Sequence, residues 1–168
     1  MNRKVLVATI VLLGLFQTAE AETLQSKVQQ FCSDVGASSS ASVGKFSMDD
    51  AVRILKEEGF AIKKIKPHEA RIKVAGRSLL LLQAKDGDFQ MYYGTTGVKV
   101  DFKDINQWNR KRRLSRAYLD SDRDPALEFD LDAGAGLTPK QLVKFVKTFS
   151  NTSVPLFVDY LLDHDKSK

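Results

Sequence analysis

A hairpin is written into LLLLQAKDGDFQMYY, residues 79–93. Leu79 to Leu82 is an apolar run of strand length, and Phe89, Met91 and Tyr93 then recur at every second position, as on one face of a strand. Between them stands Asp86-Gly87, a pair suited to a type I′ turn, whose two central residues both take positive φ. So short a connection forces the two strands to run antiparallel.

Upstream, Ile72 and Val74 alternate with Arg71 and Lys73, and residues 60–66 read as a further strand closed off by Lys66-Pro67-His68-Glu69. Ser47 is placed to cap a helix, with Asp50 reaching back from the third position and Met48, Ala51, Val52 and Leu55 forming its apolar stripe until Gly59 stops it. Downstream, residues 101–113 read as a second helix with acids at its positive end, Asp101 and Asp104, and cations Arg110 to Arg113 at its negative end. Phe102, Ile105 and Trp108 are expected to face inward.

Strands are expected over 114–119 and 126–132, the second with Leu127, Phe129 and Leu131 toward a core and Glu128, Asp130 and Asp132 toward solvent. A last helix is announced by Thr138 as cap, Pro139 in the first position, Gln141 completing a capping box and Leu137 stapled to Leu142. Pro155 predicts a break near 151–153, followed by a final helical piece carrying Leu156, Phe157, Tyr160 and Leu161. The order helix, three or four strands, helix, two strands, helix predicts an α+β domain over 46–163: an antiparallel sheet with helices packed on one face. Residues 164–168 are expected to fray.

The N-terminal residues carry a different message. Arg3 and Lys4 precede a charge-free, mostly apolar run over 5–16, and Ala19-Glu20-Ala21 sets small side chains at the spacing of a signal-peptidase site. A bilayer core needs about 20 apolar residues, so residues 1–21 read as a cleaved signal peptide, with no membrane span left afterwards. The mature chain is then expected in the periplasm or outside the cell. Its first stretch, 22–45, combines a short amphipathic helix built on Leu24, Val28 and Phe31 with a Ser/Gly/Ala-rich tether.

Composition narrows the chemistry. The chain has 168 residues and one cysteine, enough for one globular domain and too few thiols for an internal disulfide. That cysteine, Cys32, reads as sheltered or as available for pairing between chains. With the leader go Arg3, Lys4 and Glu20, so 26 basic and 21 acidic residues fall to 24 and 20, far from the concentrated stripe of a nucleic-acid binder. His68 and His164 have no second histidine or cysteine at ligand spacing, and Gly134-Ala135-Gly136 lacks the third glycine of a dinucleotide loop. No cofactor, resident metal or catalytic residue is therefore expected. One alternative stays open, a small periplasmic ion-dependent protein or enzyme using the loop 120–124: Asp120, Asp122 and Asp124 have the i, i+2, i+4 spacing of oxygen ligands for calcium, although Pro125 and Leu131 stand where a helix-loop-helix calcium site needs Gly and Glu. The same residues also suit a polar hairpin turn.

Arg110 to Arg113 and Arg116 make the densest positive patch, with Trp108 and Tyr118 nearby and six acids between Asp120 and Asp132 as nearby counter-charges. The segments Ile105-Asn106-Gln107-Trp108-Asn109, Arg116-Ala117-Tyr118-Leu119-Asp120 and Asp124-Pro125, with Leu127-Glu128, resemble the YbjN-like family of bacterial proteins. The likeness in element order extends over roughly 46–163. It implies a fold similar to type III secretion chaperones, with the order α-β-β-β-α-β-β-α, a role labelled sensory-transduction regulator, and no known catalytic residues. Leu114 and Gly94-Thr95-Thr96-Gly97 depart from the family pattern, where Phe and a cysteine-bearing segment are common. Together these readings predict an exported, non-enzymatic module that binds an unidentified protein or a second copy of itself. The expected contact patch is Trp108, Arg112, Arg116 and Tyr118; the asparagines Asn106 and Asn109 are expected to bond nearby backbone.

Overall fold

A computed structural model describes residues 26–30 and 44–167. The chain divides into two units, 1–41 and 42–168. In the first, residues 26–30 are helical and Val28 is exposed. The leader with Ala19 and Ala21, Cys32 and the tether up to residue 43 lie outside the described residues.

The second unit opens with α1, Met48–Glu57, on the capping box expected from sequence: Ser47 accepts from the Asp50 amide and Asp50 accepts from the Ser47 amide. Four strands follow, β1 (Ala61–Lys66), β2 (Glu69–Val74), β3 (Arg77–Gln83) and β4 (Phe89–Gly94). Then come α2 (Phe102–Lys111), β5 (Arg116–Leu119), β6 (Pro125–Leu131) and α3 (Pro139–Thr148), the last joined by a π turn, Phe149–Ser153, to α4 (Val154–Asp163). The six strands form one antiparallel sheet in the order β1-β2-β3-β4-β6-β5. The chain is α+β, and the segment 60–66 supplies the fourth strand ahead of α2.

One face of the sheet is core. Ile62, Ile72, Leu79, Leu81, Phe89, Met91 and Leu127 point into it and meet Leu55, Trp108, Leu142, Val146 and Phe157 from the helices. Each such side chain contributes about 1.5–3 kcal/mol by leaving water. The alternate positions Lys63, Arg71, Lys73, Ser78 and Asp130 stay exposed, so the helices pack on one face only.

Five expectations need correction. The 79–93 hairpin pairs as expected, with Leu81 opposite Met91, but its turn is not type I′. Only Gly87 of the pair has positive φ, 101°, and its amide donates to Ala84 at 3.1 Å, because three loop residues need only one left-handed position. The two-residue loop with positive φ at both positions is Ala75-Gly76, at 48° and 75°, between β2 and β3. Phe102 is 65% exposed rather than inward, and the Arg123 guanidinium lies 5.5 Å from its ring centre. The strand expected from 114 begins only at Arg116, since Leu114 adopts φ 71° in the loop that follows α2.

Pro155 does not break the last helix. Lacking an N–H and crowding the carbonyl four residues back, it is met by the wider π turn, in which Ser150 Oγ donates to the Val146 carbonyl at 2.8 Å. The tail, finally, folds back through residue 167. The Lys166 amide donates to the Lys99 carbonyl at 2.8 Å, the Lys99 amide donates to Asp165, and Lys166 Nζ bridges Asp101 and Asp104 at the start of α2. Those two carboxylates at a helix N-terminus draw in the lysine; its hydrogen bond holds the Asp101 carboxyl below the ordinary carboxylate range.

Candidate functional site on the open sheet face

Strand register lines up one residue from each strand across the uncovered face: Lys63, Arg71, Leu80, Tyr92, Glu128 and Arg116. The alternation that sends Leu127 and Phe129 inward sends Glu128 outward, as expected from sequence. Yet Glu128 is only 8% exposed. It is covered from the neighbouring strand: Tyr118 Oη donates to Glu128 Oε1 at 2.7 Å, and Arg116 Nη2 donates to Glu128 Oε2. Sequence alternation missed this because it reads a charged residue on an outer face as solvated. The signal that could have found it is Arg116 and Tyr118 standing two apart on the adjacent edge strand.

Tyr92 completes the cluster. Its ring lies across Gly94, where an added Cβ would stand 2.7 Å from the tyrosine hydroxyl, so a glycine is what lets the ring lie flat there. Arg71, Ser78, Leu80, Thr95, Thr96, Asp120 and Asp124 join Tyr92 and Gly94 around a groove of about 340 Å³. Burial, and then the carboxylates of Asp120, Glu128 and Asp124, raise the Tyr92 hydroxyl above the ordinary tyrosine value. Burial and the hydrogen bond to Glu128 push Tyr118 far higher, and the same carboxylate raises Arg116. The two tyrosines are thus hydrogen donors at neutral pH, and both Glu128 oxygens are already engaged. Such a surface offers fixed polar contacts rather than a free base.

The four residues expected to form one patch stand in two places. Trp108 is 1% exposed, its ring 5.0 Å from Phe157 and 5.4 Å from Tyr160, and Arg112 lies over it at 5.4 Å. Arg116 and Tyr118 share the open face instead. Asn109 does bond backbone: its amide donates to the Ala117 carbonyl and accepts from the Ala117 amide, both at 2.9 Å, and so fastens α2 to β5. Asn106 is exposed on the solvent side of α2.

The loop 120–124 is a tight reversal. Asp120 Oδ1 accepts from the amides of Asp122 and Asp124 at 3.0 and 2.9 Å, and Arg123 takes φ 65°. Among the described residues no group of three or more His, Cys, Asp or Glu is placed to hold a metal ion. Gly134 donates to Asp132 and Gly136 to the Ala133 carbonyl, so these loop amides are used internally. No helix among the described residues is long and apolar enough to cross a membrane.

The family model YbjN, described as "Putative bacterial sensory transduction regulator", matches residues 77–157, from β3 into α4. That stretch is YbjN-like. A solved structure, the crystal structure of YbjN from E. coli, described as "a putative transcription regulator", superposes on this fold with a TM-score of 0.58 and 16% identity, covering 73% of this chain and 93% of that one. At that identity the likeness speaks for the fold alone. No curated protein matches significantly. The YbjN-like stretch contains Tyr92, Arg116, Tyr118 and Glu128, whereas Lys63 and Arg71 precede it.

Proposed function

We propose that this chain is an exported, non-enzymatic regulator that acts by docking a protein on the uncovered face of its sheet, as a chaperone-like binding module would. The observation that carries the reading is the row Lys63, Arg71, Leu80, Tyr92, Glu128 and Arg116, one residue per strand, on a face that the helices leave open. Tyr118, Glu128 and Arg116 are hydrogen-bonded in advance, so ordering them on contact costs little. The family description supports a regulatory output. Export is supported by residues 1–21, and mass spectrometry of the exported protein is expected to begin at Glu22.

Charge is uneven across this face, with Lys63, Arg71 and Lys73 toward β1 and Asp120, Asp124 and Asp130 toward β6, where the one cation of the row, Arg116, is paired with Glu128. A second copy turned about an axis parallel to the strands sets one group against the other, which favours self-association as the form of docking. Chemical crosslinking in the native envelope is the test. A discrete adduct, lost on Leu80→Glu and on Arg71→Glu, is expected; a chain that stays uncrosslinked and sediments as a monomer contradicts the reading.

A further inference from the structure

The solvent side of α2 carries Lys103, Asn106, Gln107, Arg110 and Lys111, at i, i+3, i+4, i+7 and i+8, around a groove of about 290 Å³. This stripe lies opposite Ile105 and Trp108, which the helix buries. It contains cations and amides and no acid. The acids of the same helix end, Asp101 and Asp104, are taken up by Lys166.

Among the described residues none of the six acids from Asp120 to Asp132 forms an ion pair with the stripe, and four of them are engaged elsewhere. Glu128 serves Arg116 and Tyr118, Asp130 accepts from Gln90, Asp132 from the Gly134 amide, and Asp120 from the amides of its own loop. Among the described residues Lys103, Arg110, Lys111 and Arg113 form no ion pair. Two large apolar side chains flank the stripe and stay exposed, Phe102 at the start of α2 at 65%, with Arg123 over one side of its ring, and Leu114 in the loop three residues past its end at 63%.

We infer that this face of α2 docks on an anionic phospholipid surface. Unpaired cations on a helix lying at the surface attract anionic headgroups, at about 1 kcal/mol for each lysine or arginine close to the bilayer. Phe102 and Leu114 add what a soluble polyanion would not use, apolar area that gains by entering the headgroup and acyl boundary. The contact is peripheral, and it is independent of the protein docking proposed for the sheet, which lies on the other side of the core.

The test is flotation of the chain with vesicles of phosphatidylcholine alone and of phosphatidylcholine mixed with phosphatidylglycerol, at low and high salt. Binding only to the anionic vesicles, weakened by salt, is expected. The triple variant K103Q/R110Q/K111Q is expected to lower that binding about 100-fold, and F102S/L114S to weaken it while leaving the salt dependence. The variant K63Q/R71Q/K73Q, on the sheet face, is expected to bind as the unaltered chain does. All these side chains are exposed, so circular dichroism should report an unchanged fold. Absence of binding to anionic vesicles, or binding unaffected by the α2 variants, overturns the inference. Binding to inorganic polyphosphate without binding to vesicles overturns it too, assigning the stripe to a soluble polyanion.

Discussion

The Tyr118 hydroxyl donates to Glu128 Oε1 at 2.7 Å from the adjacent strand, while Arg116 holds the other carboxylate oxygen. An acid on the uncovered side of a sheet is thereby withdrawn from water, and a polar triad replaces what would be a solvated charge. Removing Arg116 leaves Glu128 buried with one partner. Arg116 is itself largely exposed, so Arg116→Ala is expected to cost about 1–2 kcal/mol in urea unfolding. In the background Glu128→Gln the same change should cost much less, and the double-mutant cycle reads the difference.

Tyr118 gives the domain an alkaline limit. Its hydroxyl titrates in the unfolded chain near the ordinary value of 10.0 and much later in the folded one, because burial and Glu128 both favour the neutral form. Between those points unfolding releases a proton, so stability present below pH 10 falls as pH rises beyond it. Urea midpoints measured through that range should decline in the unaltered chain and decline less in Tyr118→Phe.

Asn109 replaces a strand neighbour for β5. Its side chain meets both the amide and the carbonyl of Ala117 at 2.9 Å, and loss of both bonds in Asn109→Ala is expected to cost about 2 kcal/mol. Asn109→Asp keeps the acceptor and loses the donor, so thermal unfolding should place it between the two.

Ala75 sits in the left-handed region at φ 48°, ahead of Gly76 at 75°. An asparagine tolerates that conformation better than alanine, and Ala75→Asn is expected to stabilise by about 0.5–1 kcal/mol. Gly76→Val should destabilise by more than that, since a β-branched side chain resists positive φ. Denaturant midpoints decide both.

Much of this architecture is legible locally. The capping boxes expected at Ser47 and Thr138 depend on residues three apart and both close, and a third forms at Asp101, where the sequence reads only as acids at the positive end of the helix. The period-two runs that place Met91 and Leu127 in the core likewise need only neighbours. What escapes is decided at a distance. Glu128 is buried by side chains of another strand, Lys166 is held by two carboxylates 65 and 62 positions away in sequence, and Phe102, on the first turn of α2, stays out of the core beside Arg123. Trp108 shows the same limit for the site. Its neighbourhood with Arg116 and Tyr118 in sequence suggested one patch, but a buried ring on α2 and two side chains on the outer side of β5 face different ways.

The docking proposed for the sheet has one decisive probe: a photo-crosslinking residue at position 80, in the middle of the uncovered face, compared with one at position 144, on the solvent side of α3. Irradiation of cells is expected to give a discrete protein adduct from position 80, either a doubled chain or a single heterologous partner, and none from position 144. Equal labelling from both positions, or none from position 80, would contradict a docking role for that face.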